Sequence, residues 1–276
     1  MATGVSSSRK LSLFTHLVKH VYTGEIQLPR KTVNILHDFD INDGKYQCRM
    51  VDKDKMVQNK VKEFMLDNFY SMAPVPVVLK LFMECKMTSY LKDELDLWCQ
   101  TGVSYGIFQG DRIVGASFNL FVEKTSERLD YVSAREWLNQ AAEVATSQTQ
   151  HNPVHVWRNT QFLHLQHFNQ QIISSQGAKF GLHLACGAVE EVYRRKTNIF
   201  IPIIRTICNK IWEQGGVVTM VTNVPWQLEH MNEHFPGKVE LVDSVRYNDL
   251  ELTINEKRVF KPLDELDSIK YIYLIP

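Results

Sequence analysis

The apolar residues of this chain recur at helical spacing in some segments and in nearly continuous runs in others. The stretch MVQNKVKEFMLDNFY (residues 56–70) has apolar side chains three or four positions apart, which predicts an amphipathic helix. Pro74 and Pro76 come next and must interrupt that helix. A second helical stretch is predicted over residues 79–99.

The clearest hairpin of the sequence lies in residues 103–124. Two β-rich runs flank a short turn made of Gln109, Gly110 and Asp111, which carries the glycine that such connections need. Because both runs are almost entirely apolar, we expect both faces of these strands to be covered. Residues 125–177 then form a long, mostly helical insertion that is rich in Gln, Asn and His.

The rest of the chain alternates between strand and helix patterns. The predicted elements are a strand over 178–192, a helix over 199–216 that stops at Gly215-Gly216, a strand over 217–224, a helix over 225–235 opened by Pro225, and strands over 238–252 and 269–276. This order predicts a mixed α/β fold with a hairpin on one side and a β-α-β crossover in its centre.

Length and charge limit the organisation and the partners. A chain of 276 residues with 44% hydrophobic content can bury a real core. We expect one domain over 45–276, preceded by an N-terminal extension over 1–44 that is Ser-rich and basic at first. Lys plus Arg and Asp plus Glu both number 31, so the zero net charge argues against a general nucleic-acid or membrane-surface binder.

Cysteine usage and the absence of long apolar runs predict the compartment. The chain has 5 cysteines, widely scattered and without a Cys-x-x-Cys pair, which favours a reducing environment over a disulfide framework. The start of the sequence lacks a signal-peptide core, and no run of about eighteen apolar residues occurs. These features predict a cytoplasmic protein, and they leave its oligomeric state open.

Four histidines in the insertion invite a comparison with metal sites. They are His151, His155, His164 and His167. No Cys or carboxylate joins them at ligand spacing, so we expect no metal. The apolar Phe162, Leu163, Leu165 and Phe168 in the same region are predicted to be core contacts rather than a binding stripe.

The segment AVEEVYRRKTNIF (residues 188–200) carries a group of cations between a predicted strand and a predicted helix. They are Arg194, Arg195 and Lys196. Backbone N–H groups at the start of a helix bind phosphate, and arginine side chains suit bidentate phosphate recognition. Two interpretations stay open here: a phosphate cradle, or an exposed loop whose cations only contact solvent.

This segment resembles the cofactor-binding motif of the GNAT superfamily of acetyl-CoA-dependent N-acetyltransferases. In that family a central strand runs into Val-x-Pro-x-Tyr-Arg, a Gly-containing turn and a helix. Val189, Tyr193 and Arg194 match this motif, with Glu191 in the Pro position. The element order of residues 45–276 is most similar to the arylalkylamine-type branch.

A second resemblance lies downstream. The family's next strand and helix begin with an Asn and end with a Phe, and Asn223 and Phe235 stand at those places. In the family a Tyr between them commonly reprotonates the departing thiolate, and His230 occupies that position here. An imidazolium is a competent general acid near neutral pH, although a packed or surface histidine is the alternative interpretation.

The resemblance implies a fold, a cofactor and an acceptor. The fold is a mixed, mostly antiparallel central sheet flanked by helices. The cofactor is acetyl-CoA, and the acceptor is a small primary amine, with an arylalkylamine as the candidate. The implied cofactor-binding residues are Val189, Arg194, Arg195, Lys196, Thr197, Asn198, Ile199 and Asn223, and the main-chain N–H near Val189 would stabilise the oxyanion.

Departures from the family pattern support a second hypothesis. Thr197 and Ile199 occupy places where the family has small residues that let the backbone approach the pyrophosphate. Ala73-Pro74 stands where the arylalkylamine branch has Glu-Pro, so that carboxylate is missing. The alternative to an acetyltransferase is therefore a catalytically inactive GNAT-fold binding or interaction module.

Overall fold

The described strands of the protein form one large sheet and one small hairpin. The structure, a computed structural model, describes residues 35–52, 54–81, 94–125, 132–147, 153–196, 199–266 and 268–276. Its strands are β1 (Phe39–Ile41), β2 (Tyr46–Met50), β3 (Tyr105–Gln109), β4 (Arg112–Glu123), β5 (Phe180–Val189), β6 (Val217–Thr222), β7 (Lys238–Arg246), β8 (Thr253–Ile254), β9 (Lys257–Arg258) and β10 (Ser268–Ile275).

The large sheet is mixed and mostly antiparallel. Its order is β1-β2-β3-β4-β5-β6-β10-β7, and β8 and β9 pair separately. Within the described residues, every neighbouring pair is antiparallel except β5 and β6, which run parallel and are joined by a crossover connection. The predicted fold class, the β3–β4 hairpin and the central β-α-β unit are confirmed.

The described helices cover both faces of the sheet. They are α1 (Lys55–Met65), α2 (Pro74–Lys80), α3 (residues 94–99), α4 (Ala134–Ser147), α5 (Pro153–Ser175), α6 (Glu191–Lys196), α7 (Phe200–Glu213) and α8 (Pro225–His234). The interruption predicted at Pro74 is confirmed, because Pro74 takes the first position of α2, where its missing N–H has no cost. None of the described helices is long and apolar enough to cross a membrane.

Two hydrophobic clusters lie on opposite faces of the sheet. One contains Val61 of α1 and Trp157 of α5, and the other contains Ile207 of α7. Neighbouring residues of β4 point into different clusters, Leu120 into the first and Phe121 into the second. This double coverage explains why the β4 sequence is continuously apolar, as expected from the sequence.

The sheet begins ahead of the expected domain start. Strand β1 falls within the segment assigned to the extension, and it pairs with β2 through Phe39 and Cys48. Residues 1–34 lie outside the described residues, so the boundary at residue 44 stays a prediction. Of the second predicted helical stretch, α3 is helical, whereas residues 82–93 also lie outside the described part.

A buried polar chain joins the parallel strands to α5. The Thr219 hydroxyl donates to Asn169 Oδ1 at 2.7 Å, and His183 Nδ1 lies 2.8 Å from the same hydroxyl oxygen. Because the hydroxyl proton is used on Asn169, His183 donates through Nδ1–H, which leaves Nε2 as the unprotonated nitrogen of a neutral ring. Burial lowers the pKa of His183 from 6.5 to about 3.

This lowered pKa predicts acid-sensitive stability. In the unfolded chain His183 takes up a proton below pH 6.5, whereas the folded protein resists protonation down to about pH 3. The free energy of unfolding should therefore fall as pH falls, and His183 alone accounts for about 2 kcal/mol between pH 7.5 and pH 5. Urea denaturation of the wild type and of His183→Gln at both pH values measures the difference. An equal loss of stability in the two proteins would contradict this assignment.

Candidate active site

The two parallel strands separate halfway along β5. Strand β6 pairs with β5 only over Gly181–Leu184, opposite Val217–Met220. Strand β5 continues to Val189, so its last residues have β4 on one side and no β6 partner on the other. The separation opens a gap in the middle of the sheet, on the side where the carboxyl ends of both strands lie.

A β-bulge marks the point of separation. In the β4–β5 register, Phe118 pairs with Cys186 but Asn119 pairs with Leu184, so Ala185 is an extra residue on β5. Asn119 fixes the opposing strand, since its N–H donates to Ser104 Oγ at 3.1 Å and its side-chain amide donates to Val103 O at 2.8 Å. Because a bulge bends and twists its strand, it turns the end of β5 away from β6.

A cavity of about 410 Å³ occupies the gap. Its walls come from the ends of β5 and β6, the start of α2, the middle of α5 and the first turns of α7 and α8. The cavity therefore lies at the switch point of an open α/β sheet, which is where such sheets bind ligands.

The open edge of β5 supplies main-chain groups to one side of the cavity. Glu190 N–H donates to Val114 O at 2.9 Å, so this residue points its peptide toward β4. The main-chain groups of successive residues in a strand point to alternate sides. Gly187 is three residues before Glu190, so its N–H and C=O point away from β4 and into the gap. A Cβ at Gly187 would have no neighbour closer than 3.9 Å. A narrow ligand can thus approach this backbone closely.

The other side of the cavity is mainly apolar and includes three aromatic rings, which we call the aromatic wall. Phe69, Trp98 and Phe162 line it. Among the described residues that line the cavity there is no Asp or Glu, and Arg158 is the charged side chain. Ala73, at the place where the arylalkylamine branch has a glutamate, also lies on this wall.

The structure brings four of the predicted site residues to this cavity. Val189, Ile199, Asn223 and His230 all line it. Val189 ends β5, Asn223 follows β6, and His230 is half-buried on α8, with its ring 4.4 Å from the ring of His234. Their common position is established, whereas the contact or catalytic role of each stays a prediction.

The predicted cation group lies in α6 rather than in a loop, because the strand that was predicted to reach residue 192 ends at Val189 and Glu191–Lys196 are helical. The structure describes the backbone of Arg194, Arg195 and Lys196 but not their side chains, and Thr197 and Asn198 lie outside the described residues. The predicted phosphate contacts of these five residues therefore stay predictions.

Glu190 and Ile199, on either side of the cation group, are each held by contacts with other parts of the protein. Glu190 pairs with Arg112 of the hairpin at 2.7 Å, so its carboxylate is held by β4. Ile199 is 1% exposed and packs in the cluster beneath α7. Its bulky side chain is thus accommodated mainly by the core, which reduces the crowding that the sequence suggested at this position.

The two histidine side chains of the insertion that the structure describes are packed among other side chains. His164 and His167 are buried, and their rings lie 5.5 and 5.1 Å from that of Trp137. His151 lies outside the described residues, and the side chain of His155 is not described. In the part of the chain that the structure describes, no group of three or more metal-ligating side chains occurs. Phe162, Leu165 and Phe168 are buried as predicted, and the first two also line the cavity. Leu163 is only half-buried, so the prediction is wrong for this residue.

Three residues of the cavity were not predicted from the sequence. They are the side chains of Arg158 and Cys186 and the backbone of Gly187. Cys186 and Gly187 follow the bulge, for which the apolar strand pattern has no local signal. Arg158 lies in a predicted helix without a distinguishing motif. The substitution of Ala73 for glutamate was the signal that the acceptor wall differs from that of the family.

The Cys186 thiol is neutral at physiological pH. Burial is the main cause that raises its pKa, to about 12, and Glu94 raises it further, whereas the Arg158 cation opposes the shift. A thiol with this pKa is a poor nucleophile, so Cys186 is unsuited to carrying an acyl group.

We predict slow alkylation of Cys186. Raising the pKa from 9.0 to about 12 lowers the thiolate fraction at pH 7.5 by about a thousandfold, and even with compensating nucleophilicity the rate should drop at least about tenfold. Mass spectrometry of the native protein after timed iodoacetamide treatment gives the rate at this residue. The same peptide in the urea-unfolded protein is the control. Equal rates in both states would contradict the assignment.

Comparisons with known proteins agree on the fold. No protein-family profile matches this sequence, and no curated protein is significantly similar to it. Solved structures do match. Arylalkylamine N-acetyltransferase 2 from Aedes aegypti has a TM-score of 0.60 at 11% identity, covering 83% of this chain and 98% of its own. A mosquito arylalkylamine N-acetyltransferase-like 5b has a TM-score of 0.59 at 12% identity, covering 83% and 100%.

A third matching structure is that of an enzyme with a different kind of acceptor. The polyamine N-acetyltransferase of Drosophila melanogaster, an enzyme that forms N-acetylagmatine, has a TM-score of 0.55 at 15% identity, covering 84% of this chain and 100% of its own. At such identities the likeness establishes the fold alone. The chain thus has the GNAT-like fold that its sequence resemblance implied.

Proposed function

We propose that this protein is an N-acetyltransferase that moves an acetyl group from acetyl-CoA to a small primary amine, with an arylalkylamine as the first candidate. The observation that carries the proposal is the separation of β5 and β6 after the bulge, which opens a main-chain edge onto a cavity. The GNAT-like fold and the acetyltransferase activity of its structural neighbours support it.

The cofactor side of the cavity suits a long, narrow, amide-containing ligand. The N–H and C=O of Gly187 face the gap, so they can pair with the pantetheine amides as a neighbouring strand would. In this proposal the phosphates lie beyond Val189, between the backbone of α6 and the first turn of α7. Arg194, Arg195, Lys196, Thr197 and Asn198 would hold them there, and Asn223 would contact the cofactor from the β6 side.

The chemistry requires little from the protein because acetyl-CoA brings an already activated thioester. The aromatic wall orients the acceptor amine and excludes water, while a main-chain N–H near Val189 stabilises the oxyanion. With acetyl-CoA bound, the thioester would supply the acetyl group: the amine nitrogen would bond to its carbonyl carbon as the carbon–sulfur bond breaks, and His230 would give a proton to the leaving sulfur. The amine proton leaves to solvent or to the His230 ring once it is neutral.

An inactive binding module is the second candidate. It is favoured by one observation, the absence of any acidic side chain among the described residues that line the cavity. Without such a carboxylate the amine must lose its proton by another route. The two candidates differ in whether amine acetylation is observed, and the acceptor wall rather than the fold decides between them.

The first test is binding of acetyl-CoA by calorimetry. We expect micromolar affinity in the wild type and at least about tenfold weaker binding in Gly187→Val, since the added side chain fills the approach to the β5 edge. Space around Gly187 lets the variant fold. Ser244→Val places the same side chain on the exposed strand β7, away from the cavity, and should bind as the wild type does. Absence of binding at millimolar acetyl-CoA would overturn the proposal.

The second test concerns the proposed acid. His230→Phe should lower kcat by about tenfold to a hundredfold while the affinity for acetyl-CoA changes little, because proton transfer is lost but the wall is kept. His234→Phe is the matched control, since His234 packs on His230 but does not line the cavity. Equal kcat values in the wild type and His230→Phe would remove His230 from the mechanism.

A further inference from the structure

A single cation is held rigidly on the acceptor side of the cavity. The Arg158 guanidinium donates through Nη2 to Glu94 Oε1 at 2.6 Å and through Nη1 to Gln161 Oε1 at 3.0 Å. It also lies 5.5 Å from the centre of the Phe162 ring. These contacts fix the orientation of the guanidinium before any ligand arrives, which lowers the entropic cost of a further interaction.

The partner of this cation is withdrawn from the cavity. The Glu94 side chain is 1% exposed, while that of Arg158 is 13% exposed and reaches the cavity wall. Glu94 Oε1 also accepts from Tyr70 OH at 2.8 Å and from Trp98 Nε1 at 3.4 Å. The carboxylate is therefore used as an anchor behind the wall, and the cationic member of the pair is the one a ligand meets.

The charge of Arg158 extends to the open edge of β5. It lowers the pKa of Cys186, opposing burial and the Glu94 charge. The cation thus acts on the same part of the cavity that, in the proposed function, receives the acyl group and the acceptor. Glu94 offsets this charge from behind the wall, whereas no Asp or Glu lies among the described residues that line the cavity. A ligand carboxylate there thus meets the guanidinium and no described acidic side chain of the lining.

We infer that Arg158 selects an acceptor that carries a carboxylate on an aromatic or apolar body. A guanidinium held in one orientation matches a carboxylate in bidentate geometry, and the aromatic wall of Phe69, Trp98 and Phe162 covers the apolar part. This inference rests on the proposed function for its assignment of the cavity as an acceptor site, but the recognition of the carboxylate can be measured without acetyl transfer.

The binding test uses an acid and its uncharged isostere. 3-Phenylpropionate and 3-phenylpropanamide are titrated into the purified full-length protein by calorimetry, without acetyl-CoA. We expect the acid to bind at least about tenfold tighter than the amide, as charge-assisted hydrogen bonds exceed neutral ones. Equal affinities, or no detectable binding of the acid, would overturn the inference.

Two variants separate recognition from the structural role of the ion pair. Arg158→Met alone would leave Glu94 buried without a counter-charge and endanger folding, so the guanidinium is removed in the double variant Glu94→Gln/Arg158→Met. Its ratio of acid to amide affinity should fall to about one. Glu94→Gln alone keeps the cation and should retain the preference for the acid. A preference that survives in the double variant would show that another group binds the carboxylate.

A turnover comparison distinguishes the two proposals. If acetyl transfer occurs, 4-(2-aminoethyl)benzoate should have a higher kcat/KM than 2-phenylethylamine, and agmatine should be the poorest acceptor of the three. Equal transfer to the two aromatic amines would confirm acetyltransferase activity and overturn carboxylate selection. Acid-selective binding without acetyl-CoA binding would instead overturn the proposed enzyme and leave Arg158 as the anion-recognising residue of a binding module.

Discussion

The separation of two parallel strands governs the architecture of this protein. Strand β5 is bonded to β6 only as far as Leu184, and the extra residue Ala185 bends the remainder away. A sheet normally buries its main-chain polar groups by pairing them, so an unpaired central edge persists only where a cavity gives solvent or a ligand access to it. The cavity and the main-chain edge that opens onto it follow from this local loss of pairing.

Side-chain hydrogen bonds hold β5 and β6 together where the two strands are paired. His183, Thr219 and Asn169 form a buried hydrogen-bonded chain that links β5, β6 and α5. Because such a chain is stabilising only when its members are well paired, it fixes the position where the strands are together. The gap beyond it consequently has a defined width, which preorganises the cavity for a ligand of one shape.

The charged side chains at the cavity determine which ligands it can bind. Ala73 supplies no carboxylate to the cavity wall, whereas Arg158 supplies a cation whose partner, Glu94, lies behind that wall. The chain shares its fold with the Drosophila melanogaster enzyme that forms N-acetylagmatine, and the charge pattern of its own cavity wall is what the carboxylate proposal rests on. Such exchange of side chains on a constant scaffold is how one fold accommodates different substrates.

The sequence by itself determined most of the elements, because apolar periodicity, prolines and the Gly110 turn act over a few residues. It did not predict β1, α6 or the β8–β9 hairpin. It also identified Val189, Asn223 and His230, whose motif positions the structure brings to one cavity. Only the tertiary structure decided the bulge at Ala185, since a bulge depends on the register with a strand distant in sequence. It likewise decided the pairing of Arg158 with Glu94, 64 residues earlier. Contacts between distant segments form when the chain folds, and no local pattern encodes them.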